Sequence, residues 1–187
     1  MSQLKVNSIV PTSGVSSGAN GGIIQVIQKE STQTGTISCS ANTLNSLGGN
    51  FTVAITPRST SSKILLIGRI CGEFGGLAFL YKSCLGFTRN GSEVWNGESA
   101  GSAARGYGGW ADNYHNDASN TMEVAEIMYL DSPNTTTQVS YQICIDCGGQ
   151  SGTFYYNRNV ASGTSDARQR AVSTVIAMEV SPAYWQP

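Results

Sequence analysis

Short runs in which apolar residues alternate with small or polar residues dominate this chain. Residues 51–55, FTVAI, alternate in this way, as a β-strand with one buried face does. Residues 64–67, ILLI, are continuously apolar, which is typical of a strand buried on both faces. Between them, Thr56-Pro57 predicts the end of the first strand because proline has no backbone N–H to donate. The serines that follow favour a tight surface turn, so this stretch predicts two consecutive strands.

Similar patterns along the rest of the chain predict roughly ten short strands. The strongest local signal is Asn90-Gly91, because both residues readily adopt the positive φ angles of a type I′ hairpin turn. Residues 123–130 contain helix formers, but the run is short and leads directly into a turn at Asp131-Ser132-Pro133, so we predict a strand. The predicted strands are residues 23–28, 35–39, 51–55, 64–67, 77–81, the hairpin 84–95, 123–130, 139–145, 153–156 and 173–180.

Many short strands with no amphipathic helix between them predict an all-β fold, an antiparallel β-sandwich of the jelly-roll type. We assign this β-sandwich to residues 23–187 and call it the head domain. Residues 1–22 contain one short apolar run and are otherwise rich in Gly, Ser and Asn, so they have too little to bury to fold alone. We interpret them as an extended arm and linker, which is either a frayed terminus or a docking peptide. The apolar residues available for docking are Leu4, Val6, Ile9 and Val10.

Charge and hydropathy exclude two classes of partner. Only 12% of the 187 residues are charged and the net charge is −1, so the basic patch that neutralises phosphates in nucleic-acid-binding proteins is missing. No run approaches the roughly 20 apolar residues of a membrane span. We therefore expect neither nucleic-acid binding nor membrane insertion.

The five cysteines do not predict a metal or redox centre. Cys144 and Cys147 have C-x-x-C spacing, but they follow an alternating strand, where positions i and i+3 point to opposite faces. A zinc site needs further ligands, and His115 is the only histidine. We interpret the cysteines as structural residues in a reducing compartment and expect no cofactor and no metal.

We find no catalytic signature in the sequence. A serine–histidine–aspartate triad would have to use His115, and no G-x-S-x-G elbow is present. The glycine-rich residues 72–76 lack the lysine and hydroxyl of a phosphate-binding loop. Asp131 is interpreted as a turn-initiating residue whose carboxylate bonds its own backbone. We therefore expect no enzymatic activity.

One loop is a candidate for ligand recognition. Residues 100–120 show no strand pattern, and a loop of roughly 20 residues in a compact domain is uncommon and usually functional. Aromatic rings can stack on sugar faces while polar side chains bond the hydroxyls, so binding of a surface glycan or receptor is one interpretation. Packing against the domain or a neighbouring subunit is the other. The candidate residues are Arg105, Tyr107, Trp110, Asp112, Asn113, Tyr114 and His115.

Several segments in sequence order resemble one family. These are ITPRSTSSKIL at residues 55–65, FTRNG at 87–91, YLDSPNTT at 129–136 and STVIAMEV at 173–180, after an opening MSQLKVNSIVPTSG. In this order they resemble the head domain of tail-fibre-like virion proteins of tailed bacteriophages, especially phages of marine bacteria. The resemblance implies a surface component of the virion, usually a homotrimer and often facing the host.

Two functions follow from this resemblance. One is a short tail-fibre or tail-tip protein whose arm docks on other virion proteins and whose trimeric head contacts a host glycan or protein. The other is a capsid decoration, cement or collar protein that stabilises the particle without binding the host. The chain has no shaft between arm and head, so we expect any fibre to be short. In either case the protein is expected in the virion, after assembly in the host cytoplasm.

Overall fold

The fold is known from a computed structural model that describes residues 22–75, 83–94, 98, 101, 103–110, 121–161, 163 and 169–181. Twelve strands and one short 3-10 helix, Gly49–Phe51, make up the regular structure of this part of the chain. The strands are β1 Ile23–Ser31, β2 Gly35–Cys39, β3 Leu44–Ser46, β4 Thr52–Ile55, β5 Lys63–Gly75, β6 Ser83–Arg89, β7 Ser92–Glu93, β8 Gly108–Trp110, β9 Glu123–Asp131, β10 Val139–Asp146, β11 Gly152–Tyr156 and β12 Ser173–Val180.

The strands form two six-stranded antiparallel sheets. Sheet A has the order β1-β12-β5-β11-β2, and β9 pairs with the free edge of β5. Sheet B has the order β3-β10-β6-β7, with β4 also on β10 and β8 also on β6. The chain crosses between the sheets repeatedly, from β4 to β5, from β5 to β6 and from β9 to β10. The prediction of an all-β, antiparallel sandwich is confirmed.

The core lies between the inner faces of the two sheets, and β5 crosses its centre. Along β5, Ile64, Leu66 and Ile70 are fully buried because alternate residues point toward sheet B. Gly68 occurs on the same face, where a Cβ would lie 2.7 Å from Ile143 Cδ1 of sheet B. The absence of a side chain at this position lets the two sheets approach closely.

The predicted hairpin at Asn90-Gly91 is confirmed. It joins β6 to β7, and its residues have φ angles of 51° and 82°. The Asn90 side chain also accepts a hydrogen bond from Ser140 N–H at 2.9 Å, which ties the turn to β10.

The structure differs from the predicted strands in three places. β3 and β8, of three residues each, were not predicted, and β8 lies within the segment expected to have no strand. The 64–67 run was expected to be buried on both faces, yet Leu65 and Ile67 are only half-buried. The predicted strand 77–81 and nearly all of the arm, residues 1–21, lie outside the described residues.

Candidate assembly surface

Trp110, a predicted recognition residue, is a core residue. It ends β8, opposite Ser83 of β6, and its side chain is 2% exposed. The indole packs edge-on against Phe154, with ring centroids 5.0 Å apart, and against Phe74 at 5.9 Å. The packing interpretation of Trp110 therefore holds in this structure, and its ring offers no face for a sugar.

Tyr107 also packs against the body of the domain. Its ring stacks on Tyr129 of β9 with centroids 4.4 Å apart. The phenol donates a hydrogen bond to the Val94 carbonyl, and the backbone N–H donates to the Leu85 carbonyl at 2.7 Å. These contacts fix the segment before β8 between the two sheets.

Arg105 holds the start of the same segment against sheet B. Its guanidinium pairs with Glu93 at 3.3 Å, and its backbone N–H donates to Asp146 at 3.1 Å. Beside it lies an open polar pocket of about 80 Å³, lined in part by Asn42 and Asp146. This volume is well below the roughly 300 Å³ at which small-molecule sites begin.

The other four predicted recognition residues lie outside the described residues, namely Asp112, Asn113, Tyr114 and His115. The three described members make separate packing contacts and do not converge on one exposed surface.

The interpretation of Asp131 as a turn residue is wrong. Its carboxylate is buried at the end of β9, where it accepts two hydrogen bonds from Arg89 Nη1, at 2.8 and 3.0 Å. It also accepts a hydrogen bond from the Tyr141 hydroxyl at 2.6 Å. Burial, together with the adjacent carboxylate, raises the pKa of Tyr141 above its ordinary value. The carboxylate thus joins β9 of sheet A to β6 and β10 of sheet B.

The C-x-x-C cysteines face different neighbours. Cys144 lies on β10 with its sulfur 3.9 Å from Thr88 Oγ1, while Cys147 is in the core beside Cys39. The pKa of Cys39 is raised mainly by a hydrogen bond between the thiols of Cys39 and Cys147, and burial raises it further. Within the described residues, no group of three or more His, Cys, Asp or Glu side chains could hold a metal ion.

The outer face of sheet A is the most unusual surface of the described structure. Strand register sets its residues in rows across β9, β5, β12 and β1. One row contains Leu130, Leu65, Met178 and Val26, and the next contains Met128, Ile67, Ile176 and Gln28. Val180 and Ile23 extend the apolar area at one end, beside Lys63. We call this area the apolar face.

Large exposed apolar side chains concentrate on this sheet. Met128 is 61% exposed, Ile23 57%, and Val26 and Val124 are each 49% exposed. The remaining two exposed large apolar residues among those described are Ile27, on β1, and Val172, directly before β12. Sheet A is therefore apolar on its inner face and across much of its outer face.

Sheet B provides an internal comparison. Its outer face carries small and polar side chains, with Ala54 opposite Ser140 and Thr52 opposite Gln142. The Gln142 amide donates to Thr52 Oγ1 at 2.8 Å, so this face satisfies its polar groups at the surface. One polar outer face is the common arrangement of an antiparallel sheet, and sheet A departs from it.

The apolar face contains a groove and is bordered by a row of charged residues. Leu65, Met128, Leu130 and Val180, together with part of Tyr129, line an open groove of about 400 Å³. The next row contains Glu126, Arg69, Thr174 and Glu30, and Arg69 pairs with Glu126 at 3.7 Å. This ion pair is exposed and therefore contributes little to the stability of the single chain.

Beyond this charged row, other segments of the chain contact the end of β5. Glu73, near the end of β5, is buried and accepts hydrogen bonds from the backbone of Val160 at 2.6 Å and of Thr121 at 3.3 Å. The Cys71 carbonyl accepts from Asn157 N–H at 2.8 Å. Exposed apolar side chains among the described residues therefore lie mainly on the half of sheet A formed by β9, β12 and β1 with the first part of β5, and Val124 and Val172 lie beyond the charged row.

Two strands of this surface, β5 and β12, depart in sequence from the apolar–polar alternation of a strand with one buried face. The continuous run at 64–67 indicates burial on both faces, and STVIAMEV at 173–180 also has apolar residues at both parities. Two neighbouring strands with this pattern predict a sheet that is covered on both sides.

Comparisons with known proteins do not identify the chain, since no protein-family model matches it and no curated protein is significantly similar to it. Among the described residues, no helix is long and apolar enough to cross a membrane.

Proposed function

We propose that this chain is a structural protein of a bacteriophage virion, a short tail-fibre or tail-tip component with a trimeric β-sandwich head. The order of its sequence segments supports this proposal through the resemblance stated above. The observation that carries it is the apolar face, because a β-sandwich with such a surface needs cover in water. Three copies around one axis supply that cover in a fibre head.

The remaining parts of the chain have roles consistent with this proposal. The arm, with Leu4, Val6, Ile9 and Val10, docks on a neighbouring virion protein. Contact with a host glycan or protein would fall to Asp112, Asn113, Tyr114 and His115, because Tyr107 and Trp110 pack against the domain and the Arg105 guanidinium is paired with Glu93.

A second function, capsid decoration or a collar, is favoured by the packing of Arg105, Tyr107 and Trp110. These residues make intramolecular contacts, so their aromatic and charged groups do not argue for host recognition. In this case the head stabilises the particle and the arm lies across neighbouring subunits.

Immunogold electron microscopy of intact particles, with an antibody raised against residues 23–187, tests both functions. Gold at the tail end supports the tail-fibre proposal, and gold over the capsid or at the collar supports decoration. Particles that contain no copy of the chain, by labelling and by mass spectrometry, would overturn both.

A further inference from the structure

We propose that the apolar face is the surface through which copies of this chain associate, with the same face of each copy turned toward a common axis. The proposal deepens the proposed function, since it rests on the trimer named there and assigns its interface to particular residues. Its basis is the chemistry and the register of the outer side of sheet A.

The first argument is the cost of leaving this face in water. Apolar surface gains about 25 cal/mol for each Å² removed from water. Met128 is 61% exposed beside the half-buried Ile67, and Val26 is 49% exposed at the far end of the row that contains Leu65. The opposite face of the sandwich, on sheet B, carries small and polar side chains instead.

The second argument is the size of the face, which selects the kind of partner. Four strands spaced about 4.8 Å apart, over seven residues, present an area roughly 20 Å on each side. A single extended segment is only about one strand spacing wide, so it would leave most of this area exposed. A folded surface of matching width covers it. The planar area of the face is about 400 Å², about half of the roughly 800 Å² that each partner contributes to a standard interface, so a trimer with interfaces of standard size also uses contacts outside this face.

The third argument is that the face is complementary to itself. When copies surround an axis that runs along their strands, residues of the same row meet at the same height. The two apolar rows then meet apolar rows. The charged row contains Glu126, Arg69, Thr174 and Glu30 in that order, and Arg69 pairs with Glu126 of its own chain. This row lies at the margin of the proposed interface, beside the two apolar rows.

Light scattering of the full chain, residues 1–187, tests this assignment. We expect the wild-type protein near three times 19.7 kDa and the Met128→Glu variant near 19.7 kDa, because a carboxylate cannot be buried unpaired in the interface. Met128 is 61% exposed in the single chain, so this substitution leaves the fold intact. Val26→Glu, on the opposite edge strand, is a second variant with the same expected loss of mass.

The matched control is Ala54→Glu, which adds the same charge to an exposed position on the outer face of sheet B. We expect it to retain the wild-type mass, and circular dichroism confirms folding of each variant. A wild-type trimer that persists in both Met128→Glu and Val26→Glu would overturn the interface while leaving the trimer intact. A wild-type monomer would overturn both the interface and the trimer of the proposed function.

Discussion

At the scale of single residues, Gly106 illustrates how a missing side chain positions the predicted recognition loop. A Cβ on this residue would overlap the Leu85 carbonyl oxygen of β6, well inside van der Waals contact. The next residue, Tyr107, donates its backbone N–H to that same oxygen. Glycine therefore allows the segment before β8 to lie directly against sheet B.

We predict that Gly106→Ala lowers the free energy of unfolding by about 1–3 kcal/mol, as overpacking against a backbone atom does. Gly109→Ala is the control, because this glycine lies three residues away and an added methyl group would meet no atom within 4 Å. Urea unfolding of both variants measures the difference. Equal stability of the two would show that the segment does not dock on β6.

Trp110 gives a second prediction at this scale. Trp110→Ala removes a buried indole between Phe74 and Phe154, so we expect a loss of about 3–5 kcal/mol in the free energy of unfolding. Thermal unfolding and a cell-adsorption assay distinguish packing from recognition. Reduced adsorption with an unchanged melting temperature would contradict the packing role.

At the scale of elements, the contacts among Arg89, Asp131 and Tyr141 connect the two sheets. β9 supplies the carboxylate, while β6 and β10 supply the guanidinium and the phenol. The Asp131 side chain is buried, so removal of one partner leaves a buried carboxylate partly unsatisfied. The contacts hold β9, which bears Met128 of the apolar face, in a fixed position against sheet B.

Alkaline pH provides the test. The pKa of Tyr141 is raised above its ordinary value of about 10, mainly because the phenol is buried. The folded state favours the neutral phenol. The contribution of Tyr141 to the free energy of unfolding is therefore complete below about pH 10 and is lost as pH rises further. We predict that wild-type protein loses about 1 kcal/mol more than Tyr141→Phe between pH 8 and pH 11.

The buried thiols do not obscure this difference. Burial raises the pKa of Cys71 and, to about 11, that of Cys144, so both proteins lose stability through these groups at alkaline pH. Phenylalanine has no titrating proton, and the comparison of the two proteins isolates Tyr141. Parallel loss of stability in both would contradict the raised pKa.

Sequence patterns predicted most of the strands and missed the two of three residues, β3 and β8. β9 and β12 are eight or nine residues long, so their composition was sufficient to identify them. β8 contains only three residues, two of them glycine, and it forms because Trp110 is buried in the core. A three-residue strand that depends on such a tertiary contact has no alternating apolar pattern in its sequence.

The candidate site was less predictable than the fold. Aromatic content in residues 100–120 pointed to recognition, but Trp110 and Tyr107 are held by Phe154 and Tyr129, which are distant in sequence. Asp131 likewise bonds Arg89, 42 residues away. The apolar face depends on register among four strands, and alternation within one strand does not specify that register.

At the scale of the whole molecule, the two outer faces of the sandwich differ in chemistry. The outer face of sheet B carries small and polar side chains. The outer face of sheet A exposes Met128 and Val26 on the same face as Leu65 and Ile67. The proposed association through sheet A would give the run at 64–67 the burial on both faces that its sequence predicts. The outer face of sheet B would then be the solvent side of the proposed trimer.

The most direct test of this account is the rate of methionine oxidation by hydrogen peroxide in the full chain, followed residue by residue by mass spectrometry. In the single chain Met128 is 61% exposed and Met122 is half-buried, so Met128 should oxidise first. If copies cover the apolar face, Met128 is protected and oxidises more slowly than Met122. Faster oxidation of Met128 in the wild-type protein would contradict the account.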